Sequence, residues 1–181
     1  MVELDEDDVR NLAHQILGFD DKESRAVQGT GQIKTFKQLG FKGKDKNKKP
    51  DGWYLPYDTT KVAIIFEAKS TKEDVYNPEW IQELTRNVII ASQKYKRIVG
   101  ILYNGREQYV VKYDSTTMNT SDEITQVTEG LAPDLQHKTY YLGLFNENKI
   151  DKQKINLGFF LLATSFLLLK SGFNLGLHSK V

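Results

Sequence analysis

The sequence predicts an α/β fold, in which a mixed central β-sheet is flanked by helices. Segments with helical periodicity alternate along the chain with short runs of strand-forming residues, which is the pattern of one α/β domain. One of these runs, Lys61–Lys69 (KVAIIFEAK), is apolar on both faces and suits a central strand covered on both sides. With 181 residues, of which 39% are hydrophobic and 27% charged, the chain is long enough for one domain with a sizeable core.

The N-terminal part is predicted to contain one helix followed by irregular chain. From about Asp5 to Gly18, apolar residues recur at helical spacing, acidic residues crowd the first turn and a glycine ends the helix. The stretch from Asp20 to Pro50 is rich in glycine and has no clear period. It ends in Lys42–Lys49, where five of eight residues are lysine. Such a run is usually a solvated flexible loop.

A β-hairpin is predicted next, from two strand-like runs, Gly52–Tyr57 and Lys61–Lys69, that flank a turn-forming cluster. A corner at 58–61 places Asp51 opposite Ala68, near the end of the partner strand. A slip of the register by one or two residues would still leave Asp51 next to the carboxylate of that strand.

The following elements alternate helix and strand. An Asn-Pro start predicts a helix from Asn77 to about Lys96, with an apolar stripe on one face. Arg97–Asn104 and Gln108–Tyr113 are predicted to be the two strands of a hairpin with an Asn-Gly corner. The polar stretch 114–138 is predicted to be a loop or a peripheral excursion, and Thr139–Phe145 (TYYLGLF) a late strand. The helix stripe consists of Ile81, Leu84, Val88, Ala91 and Tyr95.

An apolar run near the C-terminus, Leu157–Leu169 (LGFFLLATSFLLL), is shorter than the about 20 residues that cross a bilayer unaided. A buried helix is the first interpretation, an interaction surface the second and a membrane segment the third. We expect residues 1–150 to form the main domain. Residues 151–181 would be an apolar helical segment at the junction to a further domain.

Two carboxylates and a lysine converge in the predicted hairpin. Glu67 and Lys69 are two apart on a strand, so both side chains leave the same face, and Asp51 arrives beside them. Charged groups at the end of an apolar strand are normally ion-paired, metal-bound or functional, although charges at strand ends are also common in ordinary sheets. A pair of hard oxygen ligands suits Mg²⁺, which keeps several waters that a substrate phosphate can displace.

The spacing of these residues resembles a known signature. Lys49–Gly52 (KPDG) followed by Phe66–Lys69 (FEAK) is similar to the PD-(D/E)XK nuclease motif. The next segment, from EAKST through a helix to IVGILYNGRE and QYVVKY, resembles the N-terminal nuclease domain of type I restriction-enzyme R subunits and of fused restriction–methylation enzymes. The likeness covers about Lys49 to Tyr113. It implies a restriction-endonuclease-like fold and a Mg²⁺-dependent DNA endonuclease, a hydrolase module of a restriction–modification system, within residues 1–150.

The resemblance assigns roles to four residues of the hairpin. Asp51 and Glu67 would be metal ligands, helped by the backbone carbonyl of Ala68, and Lys69 would be the catalytic lysine. The metal would be Mg²⁺, with Mn²⁺ as a plausible substitute.

Two auxiliary positions are also implied. Many family members carry an acidic residue upstream of the hairpin; Glu23 is the candidate metal ligand, with Asp20 and Asp21 as rivals and an exposed surface carboxylate as the alternative. Type I-like members carry a Gln-x-x-x-Tyr motif on the helix after the lysine. Here Gln82 is the catalytic candidate, with Arg86 in the place of the tyrosine. Because both lie opposite the apolar stripe, contact with the DNA backbone or a plain polar outer face are alternatives.

The lysine run also gains a role from the resemblance. Lys44, Lys46, Lys48 and Lys49 immediately precede Asp51, where the phosphate backbone would approach the metal. Phosphate contacts of this kind supply affinity and register without reading bases. The net charge of +1 gives the whole chain no strong attraction for polyanions, so a local patch such as this one would have to bind DNA.

Composition limits the remaining possibilities. The absence of cysteine excludes disulfides and thiolate metal sites, and the cytoplasm is the expected compartment. No GxxxxGK[ST] loop is present, so any use of ATP would lie outside this chain. The expected partners are double-stranded DNA and further domains or subunits (motor, methyltransferase or specificity) of a restriction complex, with no membrane partner. A non-catalytic DNA-binding module and a subunit-interaction module on the same fold are the alternatives.

Overall fold

In the computed structural model of the chain, the described residues are 3–19, 25–116, 124–126 and 138–145. Contacts divide the chain into two units, Met1–Leu142 and Gly143–Val181. The apolar run Leu157–Leu169, and with it the predicted junction at 151–181, lies outside the described residues. Among the helices in the described ranges, none is long and apolar enough to cross a membrane.

A mixed six-stranded sheet is built from the described part of the chain. The elements in chain order are α1 Glu6–Ile16, β1 Ala26–Thr30, β2 Gly52–Pro56, β3 Ala63–Ala68, α2 Pro78–Ser92, β4 Arg97–Tyr103, β5 Gln108–Asp114, β6 Thr125–Gln126 and α3 Lys138–Gly143. The strands lie side by side in the order β1 to β6. β3 and β4 are parallel and joined through α2, as parallel strands require a crossover, and the other neighbouring pairs are antiparallel. The predicted α/β class and mixed central sheet are thus confirmed.

β3 is the central strand that its composition predicts. All six of its residues are buried, and it is paired with β2 on one side and β4 on the other. α2 packs on this part of the sheet through Leu84, Val88 and Ala91, which are fully buried. Each large aliphatic side chain buried in this way contributes roughly 1.5–3 kcal/mol of hydrophobic stabilisation, so the predicted stripe anchors α2 on the sheet.

The register of the β2–β3 hairpin differs by one residue from the predicted one. Gly52 pairs with Phe66, which sets Asp51 opposite Glu67 rather than opposite Ala68. The two strands end before the predicted corner, and the longer connection between them shifts the pairing. Asp51 and Glu67 are neighbours in either register, so the one-residue difference does not change their predicted proximity.

One strand lies where the sequence predicts irregular chain. β1 falls within the stretch Asp20–Pro50 and pairs with β2 along its whole length. Its sequence, AVQGT, has only a weak preference for a strand. The strand is partly buried and is stabilised by its pairing with β2. β6 is a two-residue strand in the stretch 114–138, for which a loop or peripheral excursion is predicted.

The late strand predicted at Thr139–Phe145 is wrong, because α3 is helical there. Lys138 and Tyr141 lie three residues apart and are both buried. Lys138 donates from Nζ to Oε1 of Gln28 at 2.8 Å, and the Tyr141 hydroxyl bonds to Oε1 of Gln108. These contacts with the sheet favour a helical turn over the extended form that the tyrosines prefer.

Candidate active site

Asp51 directly precedes β2 and is almost fully buried, with 1% of its surface exposed. Its Oδ2 accepts a hydrogen bond from the backbone N–H of Ala68 at 2.8 Å. Its Oδ1 accepts one from Nε2 of Gln32 at 3.1 Å. The carboxylate therefore sits against the backbone of the residue that separates Glu67 from Lys69.

Arg10 reaches this carboxylate from α1. Its Nε lies 3.1 Å and its Nη2 3.0 Å from Oδ1 of Asp51, and it also pairs with Glu6 at 2.8 Å and with Asp7. Burial lowers the pKa of Arg10, but the charges of Asp51 and Glu6 outweigh this effect and raise the pKa. α1 thus delivers a fixed positive charge to a buried carboxylate, which needs such a partner.

Glu67, the second carboxylate, is buried with 3% of its surface exposed. Its Oε1 accepts a hydrogen bond from Nδ2 of Asn87 on α2. Burial raises the pKa of Glu67 well above its usual value, and the negative charges of Asp51 and Glu83 raise it further. A further positive charge close to Glu67 would lower this pKa, because it would favour the ionised form.

Lys69 follows β3 and is held on two sides. Its Nζ lies 2.7 Å from Oε2 of Glu83 and 4.4 Å from the ring centroid of Trp80, a cation–π distance. The indole Nε1 of Trp80 in turn donates to Oε2 of Glu73 at 3.0 Å. Burial lowers the pKa of Lys69, but the hydrogen bond and charge of Glu83 outweigh it and raise the pKa. Lys69 is therefore a positioned, protonated ammonium.

α2 supplies both partners of these charged residues. Glu83 and Asn87 are four residues apart, so they share one helix face. Glu83 holds Lys69, and Asn87 holds Glu67. Gln82, the sequence candidate on this helix, is exposed and lies outside the cluster. The Gln82-x-x-x-Arg86 spacing is thus repeated one position later by Glu83-x-x-x-Asn87. The sequence feature that could have identified Glu83 and Asn87 is their position directly before Leu84 and Val88, two residues of the apolar stripe.

An acidic residue of α1 also faces the cluster. Glu6 is partly buried; burial raises its pKa, the charge of Asp51 raises it further, and the charge of Lys69 opposes this. Sequence reasoning missed Glu6, because acidic residues in the first turn of a helix are already explained by the helix dipole. Glu23, the upstream acidic candidate, and its rivals Asp20 and Asp21 lie outside the described residues.

The predicted DNA-binding residues make no ion pair with the described residues of the cluster. Lys44 and Lys49 are exposed, and Lys46 and Lys48 are partly buried. The loop that carries them is fastened by its backbone, since the N–H groups of 36 and 37 donate to the carbonyls of 48 and 46 at 2.9 and 2.6 Å. Arg86 is half-buried, and its Nε is buried without a hydrogen-bond partner among the described residues.

The cluster offers carboxylate and amide oxygens, which are the ligand types that a hard divalent cation takes. Its acidic members are Glu6, Asp51, Glu67 and Glu83, and its cations are Lys69 and Arg10, which also pairs with Asp7. Beside Glu67, the Oδ1 acceptor of Asn87 is buried with no partner in the described part of the chain. Within the described ranges no three His, Cys, Asp or Glu side chains are spaced to hold a metal. Mg²⁺ needs only one or two carboxylates, because water completes its shell.

Comparison of the chain with models of protein families, with curated proteins and with solved structures gives no match. The function of the cluster is therefore inferred from its own geometry and chemistry.

Proposed function

We propose that this chain is a Mg²⁺-dependent DNA endonuclease module of a restriction–modification system, with a restriction-endonuclease-like fold, acting on double-stranded DNA in the cytoplasm. One observation carries the proposal. The Asp51 carboxylate lies 2.8 Å from the backbone N–H between Glu67 and Lys69, which assembles two buried carboxylates and a positioned lysine around the end of one strand. Buried ionisable groups that gather at one strand end in this way are candidates for a functional site.

Asp51, Glu67 and the carbonyl of Ala68 would hold the metal. In an extended strand the N–H and C=O of one residue point to the same edge. Because the Ala68 N–H meets Asp51, the Ala68 carbonyl faces the Asp51 side as well. Mg²⁺, or Mn²⁺ in its place, would supply polarisation of the scissile phosphate and a bound water of lowered pKa.

The remaining groups of the cluster would orient and stabilise the reacting groups. Lys69 would neutralise charge that develops on the phosphate, and its ammonium is kept protonated and aimed by Glu83. Asn87 would fix the rotamer of Glu67. Both supporting residues come from α2, a helix packed in the core, so the constellation rests on rigid elements.

The DNA backbone would be bound by the lysine run and Arg86. Lys44, Lys46, Lys48 and Lys49 form no ion pair within the described part of the chain, so they are available to phosphates. Phosphate contacts of this kind are independent of sequence. Recognition of a specific site would come from further domains or subunits of the complex.

The test is cleavage of supercoiled plasmid with Mg²⁺ by the wild-type chain and by a Glu67→Ala, Lys69→Ala double variant. We expect nicking or linearisation that stops with EDTA. The rate should fall by at least about 100-fold in the double variant, because it lacks both the Glu67 metal ligand and the Lys69 ammonium that would stabilise the transition state. An Asp58→Asn variant, altered at the exposed hairpin connection, is the matched control and should retain activity. Cleavage that survives in the double variant would exclude this site as the source of the activity.

A non-catalytic DNA-binding module is the second candidate, and one observation favours it. Both oxygens of Asp51 already accept hydrogen bonds, from Gln32, Arg10 and Ala68, as in a purely structural ion pair. Calorimetric titration with Mn²⁺ separates the two candidates. Binding that disappears in Asp51→Asn favours the endonuclease; salt-dependent DNA binding without any metal binding favours the second candidate.

A further inference from the structure

A tight turn at residues 31–33 is fastened to the Asp51 site. The N–H of Gly31 donates to the backbone carbonyl of Asp51 at 2.7 Å, and the N–H of Ile33 donates to the carbonyl of Gly31 at 2.7 Å. Gly31 has a φ of 90°, a left-handed conformation that glycine adopts without strain. Gln32, at the middle of the turn, donates to the Asp51 carboxylate at 3.1 Å. The turn is thus held by the main chain and the side chain of the candidate metal ligand.

The turn carries an exposed isoleucine at its outer end. Ile33 is 68% exposed, more than Tyr57, Tyr76 and Ile89, the other large hydrophobic residues exposed in the described part of the chain. Single exposed apolar residues are common on protein surfaces. Ile33 differs in its setting, since its neighbour in the chain touches Asp51 and its β-branched side chain has little rotational freedom.

The segment that follows Ile33 in the chain is strongly basic. Residues 34–49 contain seven lysines and a single acidic residue, Asp45. None of these lysines forms an ion pair with another described residue. An apolar tip followed by a run of lysines without ion pairs is a poor fit to an apolar protein partner. It matches the minor groove of DNA, where phosphates line both sides of a stack of bases.

We infer that Ile33 enters the minor groove of bound duplex DNA and wedges between two base pairs next to the candidate cleavage site. The inference rests on the proposed function, because it takes double-stranded DNA as the ligand of the same surface. Apolar side chains that insert in this way unstack and kink the duplex. The cost of the kink is lowest at pyrimidine–purine steps such as TA and highest in stiff A-tracts. Ile33 would therefore give the module a preference for flexible steps without any hydrogen bond to a base.

The test compares the affinity of the full chain for two duplexes of equal length, one built of alternating TA steps and one of A-tracts, in EDTA so that no cleavage occurs. Fluorescence anisotropy over a series of salt concentrations gives the affinities and their salt slopes. We expect the wild-type chain to bind the TA duplex about fivefold more tightly or better. Ile33→Ala should remove most of this preference and leave the salt slope unchanged, since the variant keeps every lysine that binds phosphate. Ile89→Ala, which removes an exposed isoleucine from α2, should behave as wild type.

A second readout reports unstacking directly. With 2-aminopurine at several positions of the TA duplex, fluorescence should rise on binding of the wild-type and Ile89→Ala chains and rise much less with Ile33→Ala. If wild type and Ile33→Ala show the same preference for the TA duplex and the same rise in 2-aminopurine fluorescence, the wedge is overturned. The proposed cleavage activity would not be affected by that result. No binding of either duplex would overturn both the wedge and the proposed DNA substrate. A change in oligomeric state in Ile33→Ala would assign the residue to a protein contact instead and would also overturn the wedge.

Discussion

The ammonium of Lys69 lies 2.7 Å from Oε2 of Glu83, so the charge at the end of β3 is fixed by a residue on the helix that follows it. The ring of Trp80, one turn earlier on α2, covers the same ammonium at 4.4 Å from its centroid. Both contacts are local in sequence, spanning one loop. They make α2 the element that decides where the lysine points.

Glu83→Gln should lower activity without unfolding the chain. Glutamine keeps the shape and an acceptor oxygen for Lys69 but removes the negative charge. Because the hydrogen bond and charge of Glu83 raise the pKa of Lys69 against the effect of burial, that pKa falls in the variant. We expect plasmid cleavage with Mg²⁺ to fall roughly 10–100-fold near neutral pH. The alkaline limb of the pH–rate profile should move to lower pH.

Glu79→Gln is the matched control for this change. Glu79 lies in the first turn of the same helix, is exposed, and has its backbone N–H bonded to Asn77 at 3.0 Å. Its replacement removes the same charge from α2 at a distance from Lys69. Equal losses in the two variants would show that Glu83 acts only through the overall charge of the helix. An unmoved alkaline limb in Glu83→Gln would contradict the role of Glu83 in raising the pKa of Lys69.

Glu67→Gln should stabilise the metal-free chain, more strongly at high pH than at low pH. Burial, then the charges of Asp51 and Glu83, raise the pKa of Glu67 in the folded state, so the folded chain binds this proton more tightly than the unfolded chain. Its contribution to stability is therefore full below the usual glutamate pKa and declines as pH rises towards the raised value. Glutamine stays neutral and avoids this decline.

Urea denaturation in EDTA measures this effect. We expect the free energy of unfolding of Glu67→Gln to exceed that of wild type at about pH 8, with a smaller difference at about pH 5. Saturating Mg²⁺ should raise the midpoint of the wild type and leave the variant almost unchanged. The same difference at both pH values would mean that Glu67 is not the buried carboxyl that the geometry describes.

Removing lysines from the run before Asp51 should weaken DNA binding and make the affinity less dependent on salt concentration. Lys44→Ala with Lys49→Ala removes two exposed charges that have no ion-pair partner among the described residues. The slope of log affinity against log salt concentration should become shallower by about 0.9 for each phosphate that the variant no longer neutralises. Lys61→Ala, at the opposite end of the β2–β3 hairpin, is the control and should keep the wild-type slope.

Gly100→Ala should destabilise the packing of α2 and β5 against β4. A β-carbon on Gly100 would lie 2.6 Å from Cγ2 of Val111 and 2.7 Å from Cγ2 of Val88, closer than van der Waals contact permits. Overpacking of this kind costs about 1–3 kcal/mol. Urea denaturation should show that loss, and Val111→Ala in the same chain should recover part of it. A variant as stable as wild type would mean that α2 and β5 move apart easily.

Some residues of the candidate site could be predicted from the sequence and others could not. Asp51, Glu67 and Lys69 could be grouped, because strand periodicity and a short hairpin relate them even when the register slips by one residue. Glu83 and Asn87 were missed, since one step along a helix rotates a side chain by about 100° and changes its face completely. Arg10 could not be found at all from spacing, because it is separated from Asp51 by 41 positions and meets it only through the packing of α1.

The sequence by itself determined the α/β class, the apolar central strand and the convergence of two carboxylates and a lysine at its end. These follow from the alternation of helical and strand periods and from the pairing of two strands that are neighbours in the chain, which are local properties. The tertiary structure alone decided that β1 joins the sheet, that Lys138–Gly143 is helical, and that Arg10, Gln32, Glu83 and Asn87 hold the three charged residues. Those outcomes depend on which faces of distant elements meet, and the energy of burying and pairing polar groups there outweighs local propensity.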